Sequence, residues 1–246
     1  MAIANRSTSA DSPENAVVRG GPLSTLPLTS LVLSVLTFLS MMLSIWMIFL
    51  YAPTDAIEGQ AQRIFYFHVP ISWIGMLAFV VLTIASVIYL VTRNERWDWL
   101  ASASAEIGAV FITLALITGS IWGKTTWGTW WSWDPKLTAT LLLWFMYVAY
   151  LMLRSYLGRT QEAARIGAVL SIVGVVDVPI IYLSVQWWRT LHPQPVVATG
   201  NLPVEMLITL MVALVTFTLF YAFLMMQLYQ LQRLQTLAQR LRVSVE

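Results

Sequence analysis

Long apolar runs alternate with short polar ones along the whole chain, and the apolar runs share a common length. A hydrocarbon core of roughly 30 Å needs about 20 apolar residues per helix. Six segments meet that requirement: 28–51, 70–91, 101–122, 137–153, 166–185 and 204–226. The expected fold is an all-α integral membrane protein with six transmembrane helices. Residues 1–27, rich in Ser, Asn, Pro and small residues, read as a mobile cytoplasmic tail. The first apolar run is too long for the core of a cleaved signal, and no small-residue cleavage site follows it, so it reads as a retained signal anchor. Residues 28–226 form the membrane domain. Beyond it, Leu228, Leu231, Leu234, Leu237 and Leu241 recur every three or four residues. That spacing predicts that the last helix continues through 227–246 with one apolar stripe. A helix lying on the lipid headgroups is the favoured use of the stripe, and a docking surface is the alternative.

Composition supports lipid as the solvent. Of 246 residues, 58% are hydrophobic and only 11% charged, more apolar surface than a soluble domain of this size can hide. A net charge of +2 offers no electrostatic basis for a nucleic-acid partner. Cysteine is absent, which removes disulfides, thiolate metal sites, thiol catalysis and heme attachment through the chain's own thiols.

Basic residues set the expected direction of the spans. Arg6, Arg19, Arg93, Arg96, Arg154, Arg159, Arg165, Arg233, Arg240 and Arg242 fall on one side; Arg63, Lys124, Lys136 and Arg189 fall on the other. Both termini are expected in the cytoplasm and the odd-numbered loops outside.

With that topology both histidines lie on the outer side. His68 precedes span two in the stretch 63–70, where Pro70 suits the first turn of a helix. His192 follows Trp187, Trp188 and Arg189, and Pro193 disfavours helical geometry there, so its imidazole is expected on an extended segment. The outer loop between spans three and four, 122–136, holds Trp122, Trp127, Trp130, Trp131 and Trp133. Trp127, Trp130 and Trp131 have the spacing of one helical face, predicting a short surface helix that presents its indoles together. Tryptophan also belongs to ordinary interfacial belts, but a belt decorates both interfaces. Here Trp97 and Trp99 are inner, Trp144 is central, and Trp46, Trp73, Trp187, Trp188 and the loop indoles are outer.

Heme answers these features together: iron takes imidazoles from two sides, the macrocycle stacks on indoles, and the propionates want cations such as Lys124, Lys136, Arg189 or Arg63. Zinc fits less well, because two histidines without thiolates leave a structural site unfilled, although Asp55 and Asp134 offer oxygens. Asp134 reads equally as the N-cap of span four, with Pro135 at its first position, and as a group orienting a ligand or an indole N–H. Asp177, in mid-span, suggests a proton or substrate path; a hydrogen bond to a neighbouring helix is the favoured reading. Glu106 and Glu205 are expected near helix starts.

The segment WGTWWSWD at 127–134 resembles the tryptophan-rich signature of the WWD heme-handling proteins. With RIFYFHVPISW at 63–73, EIGAVFITLALITGSIWGK at 106–124 and VQWWRTLH at 185–192, the chain looks like the CcmC family, the heme exporter protein C of system I cytochrome c maturation. The resemblance covers roughly residues 28–226. It implies axial ligation of heme b, held transiently, by His68 and His192, on a platform of Trp127, Trp130, Trp131, Trp133 and Asp134. It also implies delivery of that heme to a periplasmic chaperone (CcmE-like), with a small single-span subunit (CcmD-like) and an ABC-type pair (CcmA/CcmB-like) as further partners, all at the bacterial inner membrane. The expected role is that of a holder rather than an enzyme: it clamps heme while a partner histidine approaches the vinyl edge, and so promotes covalent attachment to that partner. Two other readings stay open, a bis-histidine cytochrome b-type electron carrier and a secondary transporter, of which Pro179 beside Asp177 is the one hint.

Overall fold

The computed structural model describes residues 28–192 and 202–245. The tail before Leu28 and Pro193 lie outside the described residues. Helix α1 spans Leu28–Trp46 and widens into a π-turn at Met47–Tyr51. A 3-10 turn at Gln60–Ile64 leads into α2, Phe65–Thr92. Then come α3 (Glu95–Trp127), α4 (Pro135–Leu157), α5 (Gln161–Gly174), α6 (Asp177–Trp187) and α7 (Val204–Val245). Six segments are long and apolar enough to cross a membrane, α5 and α6 together making the fifth. Among the described residues there is no strand beyond an isolated bridge between Asp55 and Gly59.

The pair α2 and α3 is the centre. On one side α7 packs against both and carries α1; on the other, α4 packs on α3, α5 fills the space against α2 and α4, and α6 lies on α4. Lipid gives no hydrophobic drive between helices, so close backbone approach and internal hydrogen bonds do the joining. The distribution of residues follows that rule. On α1 the buried positions are Ser30, Thr37 and Ser44, while Leu31, Val35, Phe38 and Leu39 face outward. On α3, Ala101 to Ala105 are all buried, and Ser104 donates to the Ala78 carbonyl at 2.7 Å. Gly108 makes room for Tyr147, whose hydroxyl crosses from α4 to the Gly75 carbonyl at 2.7 Å. At the end of the bundle away from the histidines, Arg154 of α4 grips Asp98 of α3 through two bonds of 2.8 and 2.9 Å.

Three expectations change. Helix α2 starts at Phe65, so His68 sits in its first turn and Pro70 lies inside the helix. The preceding 3-10 turn nucleates the helix early, at the cost of the bond Pro70 cannot donate. Helix α3 starts at Glu95 behind the Asn94 cap, so Glu106 is mid-helix, where it accepts a hydrogen bond from Gln232 of α7; Glu205 does lie in a first turn. Asp177 is buried at a kink, where Gly174 ends α5 and a turn at 175–176 precedes α6. Its Oδ2 has no hydrogen-bond partner among the described residues, so the bond expected to a neighbouring helix is absent there. Helix α7 runs unbroken for 42 residues; Trp99 Nε1 donates to Thr236 Oγ1 at 3.1 Å and Arg159 donates to Gln232, while Leu231, Leu234, Leu237 and Leu241 are exposed along it.

Candidate functional site

The two histidines, the Trp-rich segment and Asp134 converge on one end of the bundle, around the last turns of α3. The indole of Trp122 organises this end. It donates to Glu58 Oε2 at 2.9 Å, pinning the loop before α2, whose own turn is made by Asp55 Oδ1 accepting from Ile57 and Glu58. Phe65 and His68 both stand edge-on to the Trp122 ring, at centroid distances of 5.9 and 5.7 Å. His68 Nδ1 is 2.9 Å from Thr118 Oγ1, and the ring lies where Gly119 has no side chain: a Cβ there would be 2.9 Å from His68 Cε1.

One turn further along α3, Gly123 leaves space for Trp127, whose ring folds back to within 3.3 Å of where a Cβ would stand. Trp127 in turn meets His192 edge-on at 5.8 Å. Gly119, Gly123 and Trp127 are spaced by four along one side of α3, spanning about 12 Å of its axis from first to last, so both imidazoles contact the same end of one helix.

The predicted surface helix through Trp127, Trp130 and Trp131 does not form. Trp127 is the last residue of α3; Gly128 then takes φ 76°, a left-handed cap that suits glycine, and Lys124 Nζ donates to its carbonyl at 2.9 Å. Residues 128–134 continue as an irregular segment in which the Thr129 hydroxyl bonds the Trp131 carbonyl. The indoles therefore do not share a helical face. Trp131 is half-buried and edge-on to Trp133 at 5.6 Å, while Trp130 and Trp133 are 59% and 76% exposed. Trp187 and Trp188, also exposed, pair edge-on at 5.7 Å.

Asp134 joins the parts. Its Oδ1 caps α4 by accepting from Lys136 and Leu137 at 2.9 and 3.3 Å. Its Oδ2 accepts from the Leu191 backbone N–H at 2.9 Å and from the Thr190 hydroxyl. Thr190 also accepts the His192 N–H at 3.0 Å, so the chain between α6 and His192 hangs from this carboxylate. Burial pushes the Asp134 carboxyl up, but the bonds from Thr190, Leu137, Leu191 and Lys136 outweigh it and hold the group below its ordinary value. Residues 188–192 are non-helical, as expected for His192.

The four cations differ in availability. Lys136 is half-buried and within electrostatic reach of both His68 and Asp134. Lys124 and Arg189 are exposed. Arg63 is engaged: its guanidinium donates to the Ile48 carbonyl and to Gln60 and lies over the Phe49 ring. Among the described residues no three His, Asp or Glu gather into a metal-holding set. Thr118, Gly119, Trp122, Gly123 and Thr190 were not singled out as site residues from sequence. Their signal is the four-residue Gly spacing on a helix that ends in tryptophans.

The family model described as CcmC, heme exporter protein C, matches residues 22–244. A heme exporter protein C of Haemophilus influenzae is 37% identical over 77% of this chain and 78% of its own length. The protein of that name in Bradyrhizobium diazoefficiens is 43% identical over 69% of this chain and 66% of its own. In Escherichia coli the identity is also 43%, over 58% of each chain, so the match spans less than two thirds of those last two relatives. With all but the chain's extreme ends matched by the family model, this six-span protein belongs to the CcmC family, heme exporter protein C.

Proposed function

We propose that this chain binds heme at the outer face of the inner membrane and delivers it to a periplasmic heme chaperone. Membership of the CcmC family supports the coarse role, a heme-handling component of cytochrome c maturation. One observation carries the finer reading: both imidazoles lean edge-on against tryptophans of the same helix end, His68 on Trp122 and His192 on Trp127, with Asp134 tying the His192 segment to α4. These residues fit the cargo. His68 keeps one ring nitrogen outside its Thr118 contact, Gly119 leaves the space in which the His68 ring lies, and exposed indoles follow in the segment after α3. His68 and His192 are the axial ligands, with Trp127, Trp130, Trp131 and Trp133 as an apolar platform. Lys124, Lys136, Arg189 and Arg63 are the candidate propionate partners, Lys136 first because of its reach to His68.

The outer sidedness rests on charge: ten basic residues flank the opposite ends of the spans, against four at this end. Heme supplies the reactive vinyl edge; the chain's part is to hold the macrocycle still while a partner's histidine approaches, which is positioning rather than nucleophilic catalysis. The small single-span subunit and the ABC-type pair are the further partners of this reading. It is tested by purifying the chain and recording its absorbance spectrum for the wild type, His68→Ala and His192→Ala. A bis-imidazole heme spectrum lost in both variants supports the assignment, and an unchanged spectrum removes both ligands. Heme retained through turnover with a quinone favours an electron carrier instead.

A further inference from the structure

The imidazole of His68 lies in a notch on α3, and the notch dictates which ring nitrogen carries the proton. Nδ1 is 2.9 Å from Thr118 Oγ1. A threonine hydroxyl has one hydrogen and lone pairs to accept with. Thr118 Oγ1 is also 2.7 Å from the carbonyl oxygen of Leu114, one turn back, and 3.3 Å from that of Ala115. A carbonyl can only accept, and two oxygens that close with no hydrogen between them would repel. The hydroxyl hydrogen therefore points along the helix to Leu114, as it does for Thr113 to Ala109 on the same helix at 2.7 Å. What Thr118 turns toward His68 is a lone pair. Nδ1 must then be the donor, and in a neutral imidazole that leaves the basic lone pair on Nε2.

The geometry points to Thr118 as a positioning residue that locks His68 in the Nδ1–H tautomer and so presents Nε2 to the heme iron, with Gly119 providing the recess in which the locked ring lies. This rests on the reading of His68 as an axial ligand, and adds how that ligand is prepared before heme arrives. The Trp122 ring restrains the same imidazole from another side, edge-on at 5.7 Å. A hydrogen bond on the nitrogen remote from a metal raises the basicity of the ligating nitrogen, and losing such a partner weakens metal binding roughly tenfold to a hundredfold. Gly119 belongs to the device: a methyl group there would stand 2.9 Å from Cε1 and push the ring off Thr118.

The test begins without heme. The full chain, labelled with nitrogen-15 at its two histidines, is examined in detergent by NMR, with His192→Ala used to assign the His68 signals. The expected result is a single Nδ1–H tautomer at His68 in the wild type and in Thr118→Ser, and a tautomer mixture in Thr118→Val, which keeps the shape and removes the acceptor. A mixed or Nε2–H wild-type ring, or a Thr118→Val ring that stays Nδ1–H, overturns the lock. The second arm adds heme: Thr118→Val should retain it about tenfold less tightly and with a higher midpoint potential, and Thr118→Ser should restore both. A tautomer that responds to Thr118→Val while heme affinity and spectrum stay constant, in His68→Ala as well, overturns the ligand reading and leaves the lock without a metal to serve.

Discussion

Oδ2 of Asp134 accepts the backbone N–H of Leu191 at 2.9 Å, joining two segments 57 residues apart at the position just before His192. The other carboxylate oxygen is occupied at the start of α4, so one side chain sets both the helix and the loop. The expected N-cap is formed, and the second oxygen takes the Thr190 hydroxyl and the Leu191 N–H rather than an indole N–H.

Removing that carboxylate should therefore loosen the histidine segment before it harms the bundle. Asp134→Ala loses a helix cap worth about 1 kcal/mol and leaves the Leu191 N–H without its acceptor. Asp134→Asn keeps the shape, but whichever way its amide turns, it offers a donor to one of two donor groups. Hydrogen–deuterium exchange should rise in 188–192 for both variants and stay constant in α1. Equal exchange in the wild type and Asp134→Ala would show that the loop is held by something else.

The same bonds give a pH dependence with a definite sign. Asp134 is held below its ordinary carboxylate value in the folded chain, whereas unfolded aspartate titrates near pH 3.9. Its contribution is thus fully present above about pH 4 and declines as pH falls through the folded value. Thermal unfolding of the wild type and Asp134→Asn in detergent should differ by a constant amount from about pH 5 to about pH 7, and the gap should close below about pH 4. A gap that widened on acidification would contradict the hydrogen-bond accounting.

The spans were legible because lipid imposes a length and an apolar composition that no packing preference overrides. Helix ends were not. Tryptophans 127, 130 and 131 have helical spacing, yet Gly128 stops the helix after the first of them, since a left-handed cap depends on one glycine and not on periodicity. His68 reads as a loop residue when Pro70 is taken for a helix start, because sequence does not disclose the 3-10 turn that begins the helix five residues earlier. The histidines and Asp134 were visible as chemistry. The hydroxyls beside them, Thr118 and Thr190, carry no signal until the helices are in place, whereas Gly119 is marked only by its spacing from Gly123.

Gly108 tests the central packing. A Cβ there would stand 2.1 Å from Tyr147 Oη, and Tyr147 is fully buried with its hydroxyl bonded to Gly75. Gly108→Ala must displace the ring and break that bond, costing about 1–3 kcal/mol. Combining it with Tyr147→Phe, which has already lost the bond, should give a smaller loss than the sum of the two single variants. Additive losses in thermal unfolding would mean that the two residues are independent.

Asp177 leads to a prediction of opposite sign. Its carboxylate is buried at the kink between α5 and α6, with Oδ2 lacking a partner among the described residues. The first turn of α6 typically favours a negative charge by about 0.3–1 kcal/mol, less than the roughly 1–3 kcal/mol or more that an unsatisfied buried carboxylate oxygen costs. Asp177→Asn removes the charge at nearly constant shape and should raise the unfolding temperature while leaving the heme spectrum unchanged, because the residue is mid-span and the histidines are at the bundle's end. A variant that is less stable than the wild type would mean that the carboxylate has a favourable partner at the kink. A stable variant that no longer loads heme would instead make Asp177 part of the route by which the cargo arrives.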